Sequence, residues 1–131
     1  MKTAVKTEGK KFENYSILIR EDGIVQIEII PDSEISVDEI IEGTNFVLER
    51  LDSIKAPVLF IANEFSLPSK ESREYLAKKE SLPYSLADAY VINSFPQKIA
   101  ANFYLKVNKP ARPTKMFNNK EDALIWLKTY M

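Results

Sequence analysis

The chain has no histidine and no cysteine among its 131 residues. Histidine is the usual general base and the commonest metal ligand. Cysteine is the thiol nucleophile and the soft metal ligand. Ser-His-Asp triads, Cys-His dyads, zinc centres and His- or Cys-ligated haem are therefore excluded. Glycine is nearly as scarce. The three glycines (Gly9, Gly23, Gly43) are scattered, so no phosphate-cradling loop and no dinucleotide fingerprint can form. No apolar run approaches the roughly 18 residues of a membrane span. No apolar stretch follows the lysine-dotted start, so no signal peptide is expected there.

What remains is an ordinary globular composition, 45% hydrophobic and 28% charged with a net charge of −1. That balance argues against nucleic-acid binding, which favours strongly basic domains. The expectation is one cytoplasmic domain that is not an enzyme and carries no cofactor or metal. Charge is unevenly spread. Glu8 to Asp52 holds twelve acids and four bases, whereas Asn93 to Phe117 holds Lys98, Lys106, Lys109, Arg112 and Lys115 and no acid. Either this is solvated surface, or an anionic partner lies near the basic segment.

Residues 12–20 and 24–30 alternate apolar and polar, the period of a half-buried strand. Asp22-Gly23 between them signals a hairpin. Ser36-Val-Asp-Glu39 has the form of a capping box and opens a helix to about Asp52. Val37, Ile40, Ile41, Thr44, Leu48 and Leu51 are expected on its buried face. The apolar run 57–62 reads as a strand covered on both sides. A charged helix follows over 69–80, and 86–92 is a further interior strand. Ser94-Phe-Pro-Gln97 repeats the capping box. The helix it opens runs to about Val107, with Ile99, Ala100, Phe103, Tyr104 and Val107 inward. A short strand at 114–117 precedes a final helix carrying Trp126 and Leu127. The order ββαβαβαβα implies a mixed, mostly parallel five-stranded sheet with about four helices. Residues 1–10 are expected to be disordered, with the domain spanning 11–131. The exposed hairpin strand 12–20 suggests homodimerisation through its free edge.

Several residues could carry function. Asp88 interrupts an apolar strand, so it must be hydrogen-bonded, at a strand end or functional. Ser66, Ser69 and Ser72 precede or open the second helix. They can cap it, or place a phosphate against free amides. Ligands in parallel sheets favour the carboxyl ends of strands. That rule groups Asn63, Ser66, Ser69 and Ser72 with Asn93 and Ser94 as a ligand- or partner-binding set. Lys109 and Arg112, on a loop at the opposite end, are the alternative anion site. The late aromatics suggest core, or an apolar pocket between the third and fourth helices for a small molecule or lipid.

The last third carries a recognisable pattern: Ala87-Asp-Ala-Tyr-Val-Ile-Asn-Ser94, Asn102-Phe-Tyr-Leu-Lys106, Asn108-Lys-Pro110, Pro113-Thr-Lys-Met-Phe117 and Glu121-Asp-Ala-Leu-Ile-Trp-Leu127. With it, residues 12–130 resemble the SpoIIAA-like (STAS/SEC14-domain) proteins, in particular an uncharacterised bacterial branch. The resemblance implies a mixed sheet packed by helices and a non-catalytic regulatory, partner-binding or small-ligand role. It also implies a phosphoacceptor near Ser72, although Lys70-Glu-Ser-Arg73 lacks the glycine that follows the acceptor serine in the anti-sigma-factor antagonists.

Overall fold

The structure, a computed structural model, describes residues 8–63 and 69–131. Six strands form one sheet: β1 (Glu8–Lys11), β2 (Tyr15–Ile19), β3 (Val25–Ile29), β4 (Ala56–Ala62), β5 (Ser85–Val91) and β6 (Thr114–Phe117). They lie side by side in chain order. The β1–β2 and β2–β3 pairs are antiparallel, and the other three pairs are parallel. The expected mixed sheet is therefore present, with one strand more than the five read from the sequence. The extra strand is β1. It includes residues 8–10, which were expected to be disordered. Its composition hides it: Glu-Gly-Lys-Lys has no apolar alternation, and all four residues are exposed. The free edge thus belongs to β1, not to the 12–20 segment, which is paired on both sides. Charged side chains on β1 guard that edge against further pairing.

Four helices follow the strands: α1 (Val37–Leu51), α2 (Lys70–Ala77), α3 (Phe95–Phe103) and α4 (Lys120–Lys128). Both capping boxes form, Ser36 with Glu39 and Ser94 with Gln97. A 3-10 turn at Lys79–Ser81 extends α2, and a π turn at Tyr104–Asn108 extends α3. The strands advance in one direction, and α1, α2 and α3 are the crossovers between parallel neighbours. Right-handed crossovers then put all three on the same face.

The two faces differ accordingly. Tyr15, Ile17, Val25, Val58 and Phe60 pack beneath α1 with Ile40, Val47 and Leu51. On the opposite face, α4 lays Ala123 and Leu127 over Ile24, Leu59, Ala87, Ala89 and Val91. The alanines at 87, 89 and 123 leave room for this close approach. Trp126 is only half-buried, beside Phe117 and Tyr130 at ring distances of 5.7 and 5.0 Å.

Five helical positions depart from the sequence reading. Ile41 and Leu48 of α1 are exposed, and Gly43, Phe46 and Val47 are buried instead. On α3, Ile99, Phe103 and the following Val107 point outward, while Gln97, Ala101 and Tyr104 face the sheet. Among the described residues, no helix is long and apolar enough to cross a membrane.

Candidate functional site

A cavity of about 120 Å³ lies between the sheet and α1–α3. Its floor comes from alternate strand residues, including Ile17, Ile27, Phe60, Tyr90 and Met116. Its roof comes from Ile40, Gly43, Thr44, Ser72, Leu76, Ala100, Ala101 and Tyr104. Gly43 matters here: a methyl group on it would approach Ile17 Cδ1 at 3.1 Å and Tyr15 Cε2 at 3.2 Å. The cavity is not between the third and fourth helices, as expected from their aromatics. Those helices are on opposite faces of the sheet.

The cavity wall is mostly apolar, with the charged Glu39 and Arg73, the polar Thr44, Ser72 and Gln97 and a group of tyrosines among its lining residues. Phe60 and Tyr90 stack with centroids 4.5 Å apart, and Tyr104 meets Tyr90 edge-on at 6.0 Å. The buried hydroxyls of Tyr84, Tyr90 and Tyr104 make no hydrogen bond of normal geometry. Tyr90 and Tyr104 nevertheless sit close enough to perturb each other electrostatically. Burial pushes the Tyr104 hydroxyl up to about 12 and raises Tyr84 and Tyr90 as well, with the nearby Asp88 charge adding to each. All three are neutral donors at physiological pH.

Asp88 answers the question its sequence position raised. It is fully buried on β5, and its Oδ2 accepts from Arg112 Nε at 2.9 Å while Oδ1 accepts from Ser85 Oγ at 2.6 Å. Arg112 also donates to the carbonyls of Leu76 (2.7 Å) and Lys78 (3.0 Å) at the end of α2. The sequence offered Arg112 as an anion site with Lys109. Instead its guanidinium is buried and engaged on three sides, while Lys109 stands exposed in a left-handed turn. Burial pushes the Asp88 carboxyl up, against the opposing pull of Arg112 and Ser85.

The residues expected at the carboxyl ends of the strands serve mainly as ties. Asn63 Nδ2 donates to the Ile29 carbonyl (2.7 Å) and to Glu28 (3.1 Å). Gln97 Nε2 donates to the Asn63 carbonyl (2.8 Å), and its Oε1 accepts from the Asn93 and Ser94 amides. These bonds join β3, β4 and the start of α3. Gln97 was legible only as half of a capping box, and its second role across the sheet had no local signal. Ser69 caps α2 through the Ser72 amide at 3.1 Å. Ser72 is 1% exposed and donates to the Ile35 carbonyl. A phosphoryl group on it would have to break that contact. Ser66 lies outside the described residues. A surface groove beside Ser69 is lined by Glu34, Glu71 and Glu74 against one Lys70. That surplus of carboxylates opposes an anion at this end. Of the predicted set, Ser72 lines the cavity.

No curated protein matches the chain. Among solved structures, it resembles an uncharacterised DUF3478-family protein with a SpoIIAA-like fold from Shewanella loihica PV-4. The TM-score is 0.52 at 14% identity, covering 97% of this chain and 98% of that one. A protein of unknown function from Arthrobacter sp. FB24 matches at a TM-score of 0.30 and 18% identity, over 86% of this chain and 92% of that one. The fold is SpoIIAA-like, in agreement with the element order and the C-terminal pattern. The sequence model "Domain of unknown function (DUF7793)" matches residues 17–131, and the chain belongs to that family.

Proposed function

We propose that this domain is a non-catalytic module that holds a small, flat, uncharged molecule in the cavity under α1–α3. The observation that carries the reading is an apolar cavity of about 120 Å³ walled by three buried tyrosine hydroxyls without normal hydrogen bonds. Its size is near that of an engineered apolar cavity of about 150 Å³ that admits benzene. It falls below the roughly 300–1,000 Å³ of drug-sized sites. A single ring fits better than a lipid chain.

The tyrosines set the ligand's polarity. Neutral hydroxyls in an apolar wall reward an acceptor such as a carbonyl oxygen. Charge is disfavoured in a mostly apolar wall whose charged members are already engaged: Glu39 accepts from Asn14 Nδ2 and the Ser36 amide, and Arg73 lies over the Phe103 ring. The same facts support a non-catalytic role. A general base must be free to take a proton near neutral pH, and the carboxylate and phenols here are engaged or held protonated. A cytoplasmic setting, work without a cofactor and a protein partner that responds to occupancy complete the proposal.

Isothermal titration with three ring compounds of similar shape tests it. Acetophenone carries an acceptor, α-methylstyrene replaces the oxygen by carbon, and benzoate adds a charge. Acetophenone should bind at least about tenfold tighter than α-methylstyrene, the equivalent of one good hydrogen bond. Benzoate should not bind. Ala101→Leu should abolish binding by filling the cavity while leaving the circular dichroism spectrum unchanged. Failure of all three compounds to bind would reject the cavity as a ligand site.

A further inference from the structure

The outer surface of α3 is the least expected feature of this fold. Phe95, Ile99, Phe103 and Val107 are 74%, 56%, 46% and 58% exposed. They recur every four residues, on the side of the helix opposite Gln97, Ala101 and Tyr104. Soluble monomers seldom leave such a contiguous apolar strip in water. On α1, Ile41 and Leu48 are each 41% exposed, one heptad apart. Both helices lie on the same face of the sheet, with α2 between them.

The charges around the two strips are opposite. Exposed Asp38, Glu42, Glu49 and Asp52 border the α1 strip. Exposed Lys98 and Lys106 border the α3 strip, and no acid occurs from Asn93 to Phe117. Exposed Lys70, Glu71, Glu74 and Lys78 on α2 carry both signs.

We infer that this helical face docks a second copy of the chain about a two-fold axis through α2, with α1 of each copy against α3 of the other. A two-fold interface must be self-complementary, and this face has the required pattern: acidic on one flank, basic on the other, mixed at the centre. The axis seats each α3 strip against the partner's α1 strip and pairs unlike charges at both rims. Packing α3 on α3 would instead set lysine against lysine. An anionic membrane would accept the α3 flank but would meet the carboxylates of α1 on the same face. Charge complementarity of this kind fixes register and sets salt dependence.

The test uses two variants of the full chain and sedimentation equilibrium. Asp38→Lys with Asn45→Lys and Glu49→Lys makes the α1 flank basic, leaving only Glu42 and Asp52 of its bordering acids beside three new lysines, and Lys98→Glu with Lys106→Glu makes the α3 flank acidic. The wild-type chain should be a dimer at tens of micromolar in low salt, loosening as salt rises. Each variant alone should dimerise at least about tenfold more weakly, a loss of about 1.4 kcal/mol. An equimolar mixture should recover the dimer, because both α1–α3 rims again pair unlike charges. Ile99→Glu should give monomers with an unchanged circular dichroism spectrum. A monomeric wild type, a mixture no tighter than the separate variants, or dimers that survive Ile99→Glu would each overturn the inference. So would monomers that bind phosphatidylglycerol vesicles and lose that binding with Lys98→Glu and Lys106→Glu.

Discussion

Arg112 Nε donates to Asp88 Oδ2 at 2.9 Å, with both side chains buried. The pair spans the molecule's layers: Asp88 sits on a central strand, and Arg112 also grips the last carbonyls of α2, a roof element of the cavity. Removing the guanidinium leaves a buried carboxyl without its partner. Arg112→Met should therefore cost about 3–5 kcal/mol in urea unfolding. Adding Asp88→Leu should recover part of that loss, since the unpaired charge is gone while the Leu76 and Lys78 carbonyls stay bare. A double variant no more stable than Arg112→Met would show that the pair is not the source of the cost.

Asp88 also sets a pH dependence. Its folded pKa is raised by burial above the unfolded value, so between the two values the folded state binds more protons than the unfolded one. The carboxyl's stabilising contribution is then complete below the unfolded pKa of about 3.9 and is lost as pH rises through the folded value. A carboxyl-carbon NMR titration should place the Asp88 midpoint above the ordinary aspartate range. In Asp88→Asn, stability should lose that falling contribution. A midpoint below about 3.9 would mean that Arg112 outweighs burial.

The α4 face separates neighbouring residues. Leu127 is fully buried between Ala87, Ala89 and Leu59, so Leu127→Ala should cost about 2–5 kcal/mol. Trp126 is half-buried, so Trp126→Ala should cost less, about 1–2 kcal/mol. Thermal unfolding of the two variants gives the order directly, and the reverse order would place the tryptophan in the core.

Gln97 is the tie that had no sequence signal beyond its cap. It is buried and bonded at both ends of its amide. Gln97→Ala should cost about 1–3 kcal/mol, because the amides and carbonyls it serves lose their partner in a dry site. Amide hydrogen exchange should quicken at Asn93 and Ser94. Unchanged exchange there would deny the tie.

Much of the fold is legible in the sequence, because its signals are local. Alternation marks β2 and β3, Asp22-Gly23 marks their turn, and Ser36-Glu39 and Ser94-Gln97 mark two helix starts. The order of the strands is not local. Without it, the face on which each helix lands is open, and the aromatics point to a cavity between α3 and α4 rather than under α1–α3. The inward side of α3 is hidden for a related reason. Counting apolar residues points Ile99, Phe103 and Val107 to the core. The helix does turn Tyr104 inward as expected, but beside it come Gln97 and Ala101, where Gln97 finds the end of β4 and the small alanine leaves space. Edge strand β1 carries no apolar period at all. Apolar neighbours single out Asp88, but nothing local links it to its partner Arg112, 24 residues away, which by sequence reads as a free cation.

The central claim is that the cavity under α1–α3 takes a small neutral ring. The most direct measurement is a methyl-NMR titration with acetophenone. Saturable shifts should be confined to Ile17, Ile27, Ile29, Ile40 and Ile92, which line the cavity, with Leu127 on the far face unmoved and all shifts lost in Ala101→Leu. Shifts that fail to saturate, or that centre on the exposed Ile99 and Val107, would contradict it.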